Sequence, residues 1–134
     1  MAGTILVVDD SEADVKPLLL AFAQVRIENP VHVCHDGEAA LEYLASTDFV
    51  RPLPRLILLG TNLSGMSGFD VLTRIKEHPT WRHITTIMFC ASSTRKEDAK
   101  RADQLGADGF LTKPKTVKEL RAMVQSFPAK WMGK

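Results

Sequence analysis

The sequence contains few cysteines, no long hydrophobic run and no excess of charge of one sign. Its two cysteines are Cys34 and Cys90. Two cysteines so far apart exclude the disulfide framework of a small secreted domain and indicate a reducing compartment. The longest apolar runs, Ile5–Val8 and Leu56–Leu59, are far shorter than the roughly 18 residues of a membrane span. No basic region precedes Asp9, as it would in a signal peptide. We therefore expect a cytoplasmic protein without membrane contact.

The net charge is nearly balanced, but the two signs are unevenly distributed along the chain. There are 17 Lys and Arg residues and 16 Asp and Glu residues, for a formal net charge of +1. The first 94 residues carry seven basic and eleven acidic residues, whereas residues 95–134 carry ten and five. The basic C-terminal part is either a solvated helical surface or a surface for an acidic partner. Nucleic-acid binding is not expected, because no DNA-reading module follows the domain.

Length and composition favour one globular domain. An apolar fraction of 45% and a charged fraction of 25% are ordinary for such a domain. A chain of 134 residues has no room for a second one. We expect a single domain over residues 1–134, with a core at about 4–127 and a short C-terminal tail at 128–134.

Short apolar runs alternate with segments of helical periodicity along the whole chain. Five runs are predicted to be strands: Thr4–Asp9, Val31–His35, Leu56–Leu59, Thr86–Cys90 and Gly109–Thr112. Each is short, and several are apolar at consecutive positions, which is typical of strands buried on both faces of a sheet. Five strands alternating with five helices predict a parallel sheet covered by helices on both sides.

The start of the first helix has two possible caps. Ser11 caps a helix that contains Pro17, with one backbone hydrogen bond lost, whereas a cap at Asp14 places that proline in the permitted first turn. The later helices have clearer signals, which are the capping residue Asp36 and the capping boxes Thr94-x-x-Glu97 and Thr116-x-x-Glu119.

The residues that follow the strands are the candidates for function, because ligands bind beyond the carboxyl ends of the strands in such sheets. Asp9 and Asp10 follow the first strand, Gly60 the third and Lys113 the fifth. Two adjacent carboxylates need a nearby cation. Lys113 supplies one positive charge, and hard oxygen ligands of this kind also suit Mg²⁺.

Three motifs carry a resemblance to a known family. VVDDSEADV, LILLGTNLSGMSGFDVL and GADGFLTKP, at this spacing, resemble the receiver domain of bacterial two-component response regulators. The resemblance covers about Thr4–Phe127. The SEADV helix start, the TWRHI segment and the Trp-containing tail are similar to the stand-alone receivers associated with bacterial phytochromes. The resemblance implies a flavodoxin-like (βα)5 doubly wound parallel sheet with strand order 2-1-3-4-5.

The resemblance also implies roles for individual residues. In this family an aspartate at the end of the third strand accepts a phosphoryl group from a kinase histidine, while an acidic pair holds Mg²⁺ and a lysine before proline steadies the phosphate. Asp9 and Asp10 match the acidic pair, and Lys113 matches the lysine, whose bond to the next proline is expected to be cis. Cys90 and Phe110 match the two switch positions that relay the change to a partner surface.

Gly60 stands at the position of the phosphoacceptor aspartate. Glycine has no side chain and therefore no nucleophile. No Asp or Glu lies between Asp48 and Asp70, so a shift of one residue does not supply another carboxylate. Two further differences from the family pattern agree with this: Ser64 replaces a proline, and Cys90 replaces a Thr or Ser hydroxyl with a thiol, which is a weak donor.

The resemblance implies a Mg²⁺ site formed by Asp10, the backbone carbonyl of Asn62 and, through water, Asp9. Because the acceptor carboxylate is missing, we expect that Mg²⁺ binds weakly. We also expect Lys113 to pair directly with Asp9 or Asp10.

The leading hypothesis is an atypical stand-alone receiver that is not an enzyme and acts by phosphorylation-independent protein–protein interaction. Its partner would be a sensor histidine kinase or another signalling protein. Two alternatives remain: a phosphorelay receiver phosphorylated on another carboxylate such as Asp9 or Asp10, and a module gated by a small anion or by redox chemistry in the vacated pocket. The predicted partner face, which is also a possible homodimer face, consists of basic residues on or near the fourth and fifth helices: Arg95, Lys96, Lys100, Arg101, Lys115, Lys118 and Arg121.

Overall fold

The computed structural model describes residues 3–47, 51–90 and 96–132. The strands are β1 (Ile5–Val8), β2 (Val31–Cys34), β3 (Leu56–Gly60), β4 (Thr85–Cys90) and β5 (Gly109–Thr112). The helices are α1 (Glu12–Gln24), α2 (Gly37–Ala45), α3 (Gly68–Glu77), α4 (Lys96–Gln104), α5 (Val117–Gln125) and α6 (Phe127–Trp131), with a 3₁₀ turn at Trp81–His83. None of the helices in these ranges is long and apolar enough to cross a membrane.

The five strands form one parallel sheet in the order β2-β1-β3-β4-β5. This confirms the predicted flavodoxin-like α/β fold. The register places Val8 beside Cys34 on one side and Leu59 on the other, and it places Gly60 beside Phe89. The carboxyl ends of β1, β3 and β4 therefore meet at one edge of the sheet.

The strands are apolar at consecutive positions because both faces of the sheet are covered. Leu6, Leu59 and Met88 belong to the core on the side of α2, α3 and α4. Ile5 and Leu58 belong to the core on the side of α1, α5 and α6. Burial on both faces leaves the edge at the carboxyl ends as the place where polar side chains collect.

The first helix is capped by Ser11, whose side-chain oxygen accepts a hydrogen bond from the Asp14 amide. Pro17 therefore lies inside α1. Because proline has no backbone N–H, the carbonyl of Ala13 loses its helical partner. The alternative cap at Asp14 is not the one that the structure shows.

The segment expected to be a tail packs against the sheet. Phe127 and Met132 are buried, and α6 ends at Trp131. A Cβ atom at Gly109 would lie 2.8 Å from the Trp131 ring, so this close packing depends on a glycine at the start of β5. The packed core thus extends beyond the expected limit at Phe127.

The start of α4 is only partly described. The predicted cap at Thr94 lies outside the described residues. The predicted end is present, since Gly106 follows α4 with a φ of +95°, a backbone conformation that suits glycine at a helix C-terminus.

Candidate functional site

The carboxyl edge of the sheet contains a cavity of about 310 Å³. It lies beyond β1, β3, β4 and β5, where the fold rule for parallel sheets places ligands. Five of the residues selected from the sequence line it together, and four residues join them: the lining within the described residues is Asp9, Asp10, Ser11, Asp14, Gly60, Thr61, Asn62, Phe89 and Lys113.

Lys113 forms a direct ion pair with Asp9. The distance between Lys113 Nζ and Asp9 Oδ2 is 2.5 Å. The other oxygen of Asp9 accepts a hydrogen bond from the Ser11 amide at 2.9 Å. Asp9 is only 5% exposed. A carboxylate buried to this extent needs such partners, and of the two aspartates proposed as partners of Lys113, the structure selects Asp9.

Asp14 is a second carboxylate partner of Lys113, and the sequence reasoning considered it only as a capping residue. Lys113 Nζ donates to Asp14 Oδ2 at 2.9 Å. Burial alone lowers the pKa of the Lys113 ammonium, but the hydrogen bonds and charges of Asp9 and Asp14 outweigh burial and raise the pKa above its usual value. The signal in the sequence that could have indicated this role of Asp14 is a carboxylate in the first turn of the helix that follows β1.

Asp10 takes no part in this ion pair. It is exposed, and its Oδ2 accepts a hydrogen bond from the Ser64 hydroxyl at 3.1 Å. This bond joins the loop after β1 to the loop after β3. Ser64, which replaces the proline of the family pattern, therefore contacts one member of the acidic pair.

Gly60 is buried at the end of β3. A Cβ atom at this position would lie 3.1 Å from the Val8 carbonyl oxygen and 3.3 Å from Leu63 Cδ2. Both contacts are slightly tighter than ordinary van der Waals contact. A side chain at position 60 therefore fits if its neighbours move by a few tenths of an ångström.

Phe89 forms an aromatic wall of the cavity, and the sequence reasoning missed it. Lys113 Nζ lies 5.7 Å from the centre of the Phe89 ring, within the range of a cation–π interaction. The pairing of Phe89 on β4 with Gly60 on β3 was not visible in the sequence, because it depends on the register of the sheet.

The peptide bond between Lys113 and Pro114 is trans, since the described residues contain no cis peptide bond. The expectation of a cis bond was therefore wrong. The trans form is the lower in energy for most bonds before proline, and in it the Lys113 amide donates to the Cys90 carbonyl oxygen at 2.8 Å.

The two switch positions occupy different environments. Cys90 is buried at the end of β4. Phe110 on β5 is half-buried and lines a separate cavity of about 210 Å³ beneath α4. Cys34 and Cys90 are not joined by a disulfide, as expected from strands separated by β1 and β3. Burial, with a smaller effect from Asp36, raises the pKa of the Cys34 thiol to about 11.

Two arginines of the predicted partner face contact residues of neighbouring helices. Arg95 lies outside the described residues. The guanidinium of Arg101 lies 4.4 Å from the centre of the Phe69 ring on α3, and Arg121 donates to Gln24 on α1 at 3.2 Å. All members within the described residues are exposed: Lys96, Lys100, Arg101, Lys115, Lys118 and Arg121.

The described part of the cavity has few carboxylate oxygens to offer a Mg²⁺ ion. Within residues 3–47, 51–90 and 96–132 there is no group of three or more His, Cys, Asp or Glu side chains placed to hold a metal ion. Both oxygens of Asp9 have partners, one oxygen of Asp10 accepts from Ser64, and Gly60 offers no carboxylate. Mg²⁺ is usually held by one or two carboxylates and keeps several waters, and the exposed Asp10 is the member of the acidic pair left to contribute to such a site.

Known proteins resemble this chain in both sequence and fold. The family model of the response regulator receiver domain matches residues 5–125. The chain is 31% identical over 130 residues to the probable methanogenesis regulatory protein FilR2 of Methanothrix harundinacea, covering 96% of this chain and 83% of that protein. It is also 31% identical over 130 residues to the response regulator Rcp1 of Synechocystis, covering 96% and 88%.

Solved structures share the fold over nearly the whole chain. The Mn(2+)-bound form of Rcp1 matches with a TM-score of 0.84 and 30% identity, covering 97% of this chain and 94% of that one. The phosphorylated cyanobacterial phytochrome response regulator RcpA matches with a TM-score of 0.87 and 27% identity, covering 98% and 94%.

Proposed function

The chain belongs to the response regulator receiver family of two-component signalling, and we propose that it works there without accepting a phosphoryl group on β3. The observation that carries this proposal is Gly60, which ends β3 inside a cavity that otherwise contains the acidic pair and the lysine of the family pattern. Phosphoryl transfer to a protein requires a nucleophile held in line with the phosphorus atom. Glycine has none.

The other carboxylates of the cavity are poor substitutes for the missing nucleophile. Asp9 is buried and has partners on both oxygens, and Asp14 is held by Lys113. Asp10 is the least restrained, and within the described residues it accepts one hydrogen bond, from Ser64. If another carboxylate accepts phosphate, Asp10 is the one to map.

The electrostatics of the cavity also oppose the alternative of a small anion as ligand. Asp9, Asp10 and Asp14 carry three negative charges, and Lys113 carries the one positive charge among the lining residues. Because Lys113 already has two carboxylate partners, it has little attraction left for an anion. We propose, in addition, that Mg²⁺ binds weakly here, because its usual oxygen ligands are absent or already bonded.

The proposed role is that of a binding module rather than an enzyme. No histidine or cysteine lines the described cavity, so it has no nucleophile with an adjacent imidazole base. The relative RcpA is a phytochrome response regulator by name. We take a sensor histidine kinase or another signalling protein as the partner.

The partner surface is proposed to be the seam between α1 and α5. Leu20 on α1 and Val117 on α5 are the exposed large hydrophobic residues of the described chain, each 56% exposed. Pro17 and Pro114 line one small cavity, and Arg121 bonds to Gln24. These contacts place α1 beside α5, and each of the two helices has one exposed apolar side chain. Exposed apolar residues on neighbouring helices support an interaction site there.

Phosphate acceptance is tested by intact-mass spectrometry after incubation with acetyl phosphate and Mg²⁺. The parent chain, Gly60→Asp and Gly60→Asn are compared, the last being a control of nearly equal size without a carboxylate. We expect the mass of one phosphoryl group on Gly60→Asp only. A phosphorylated parent chain would refute the proposal, and peptide mapping would then identify the acceptor.

The partner surface is tested by placing a photo-crosslinking amino acid at position 20, 117 or 100. Lys100 on α4 is the matched control, because it is exposed and belongs to the face first predicted from the sequence. Crosslinks to a second protein from positions 20 and 117, and not from position 100, are expected. The reverse pattern would place the interface on α4.

A further inference from the structure

Asp14 connects two parts of the molecule that are distant in sequence. It lies in the first turn of α1, and its Oδ2 is 2.9 Å from the ammonium of Lys113, which directly precedes Pro114 and the start of α5. The Lys113 side chain is 13% exposed and that of Asp14 is 42% exposed. The ion pair therefore joins the beginning of α1 to the segment that leads into α5.

Lys113 needs more than one counter-ion in this position. Its ammonium group has three donors, and it lies against the Phe89 ring in a largely buried site. Asp9 accepts from one donor. With glycine at position 60, β3 contributes no carboxylate to the cavity, and Asp14 accepts from a second donor.

We propose that Asp14 replaces the missing carboxylate of β3 as the second counter-ion of Lys113, and that this ion pair fixes α1 against α5 in the absence of phosphate. The inference rests on the proposed function in one respect, since the seam between α1 and α5 is taken there as the partner surface. Asp14 is a positioning residue in this scheme, because it acts on the seam through Lys113.

The start of α1 has a particular need for such an anchor. Pro17 has no backbone N–H and therefore cannot donate the helical hydrogen bond to the Ala13 carbonyl. The first turn of α1 is thus held less firmly by helical hydrogen bonds than an uninterrupted turn would be. The ion pair from Lys113 to Asp14 holds this turn from outside the helix and compensates for the lost hydrogen bond. In this scheme it also sets the position of Leu20, which lies one turn beyond Pro17.

The test is a double-mutant cycle measured by urea denaturation without phosphate or Mg²⁺. Asp14→Asn in the parent chain is expected to raise the unfolding equilibrium constant about 5-fold, the upper range for a partly exposed ion pair. In a Gly60→Asp background, Asp14→Asn is expected to raise the unfolding equilibrium constant less than about 2.5-fold, because the new carboxylate takes over the role of Asp14. Equal effects in both backgrounds would overturn the proposal.

A second cycle keeps the proposal testable if Gly60→Asp does not fold. Asp14→Asn is then made in a Lys113→Met background, where it is expected to change stability little. A full effect there would show that Asp14 acts only as a helix-start residue. Asp103→Asn on α4, an exposed aspartate in a different region, is the control and should show no coupling.

Backbone amide shifts give a readout that a local helix-capping role would not produce. Asp14→Asn is expected to shift the amide signals of Leu20 and Val117, on both sides of the seam. Changes confined to the first turn of α1 would contradict the proposal. None of these measurements involves phosphoryl transfer, so their failure is distinguishable from phosphorylation of the parent chain.

Discussion

Replacement of Lys113 by methionine removes the ammonium group that pairs with Asp9 and Asp14. Asp9 is the critical group, because its side chain is 8% exposed and its Oδ2 loses the partner at 2.5 Å. Asp14 is 42% exposed, so water can solvate it after a small movement. The change therefore isolates the cost of one buried, uncompensated aspartate.

The expected loss of stability follows from two opposing contributions. At an effective dielectric constant of about 20, a pair of charges 2.5 Å apart attracts with a gross energy of about 6–7 kcal/mol. Desolvation of both groups cancels much of this energy, and removal of one partner from a buried ion pair costs about 3–5 kcal/mol. Because the Ser11 amide still donates to Asp9, we expect the lower end, about 3 kcal/mol.

Urea denaturation at pH 7, followed by circular dichroism, measures this loss. Lys113→Arg keeps the charge and serves as the control, with a smaller expected loss. Asp9→Asn combined with Lys113→Met removes the unpaired charge as well and is expected to be more stable than Lys113→Met alone. A loss below about 0.5 kcal/mol for Lys113→Met, the level of an ordinary surface substitution, would refute the view that this ion pair is buried.

Three further predictions concern other residues. The pKa of Lys113 is raised in the folded state, so its stabilising effect is complete below the unfolded value of about 10.4 and is lost as pH rises through the folded value. The free energy of unfolding, measured by urea denaturation, should therefore fall more steeply with pH above about 10.4 for the parent chain than for Lys113→Met. An equal pH dependence of the two proteins would contradict this. A Cβ at position 68 would lie 1.9 Å from the Gly60 carbonyl oxygen, so Gly68→Ala should cost about 3 kcal/mol in urea denaturation, the upper range for overpacking, and a neutral result would disprove the clash. In a Cys90→Ser background, Cys34 should react with a thiol reagent at pH 8 only after unfolding, because it is buried and its pKa is about 11; rapid reaction of the native protein would show that the thiol is accessible.

The architecture and the location of the site were largely predictable from the sequence. Buried parallel strands are apolar at consecutive positions, and the runs Ile5–Val8 and Leu56–Leu59 carry that signal within themselves. Once the strands were assigned, the rule for carboxyl ends brought Asp9, Gly60 and Lys113 to one edge. These inferences depend only on local pattern and on a general property of parallel sheets, which is why they did not require coordinates.

The choice of partners within that edge was decided by the tertiary structure. Whether Lys113 pairs with Asp9 or Asp10 depends on which side chain points inward, and neighbouring residues with the same chemistry do not reveal this in the sequence. Asp14 reaches Lys113 because Ser11, one of two plausible caps, is the residue that caps α1. Phe89 faces Lys113 because the register places it beside Gly60.

At the surface, too, the sequence predicted the composition of a region but not the contacts that its side chains make. The sequence by itself determined that the C-terminal part is basic, but not that Arg101 lies on the Phe69 ring or that Arg121 bonds to α1. It also did not show that Trp131 and Met132 pack against the core, since seven residues with one tryptophan have no periodicity to interpret. Local patterns specify which elements form, whereas contacts between side chains distant in sequence depend on how those elements pack, and packing is a property of the whole chain.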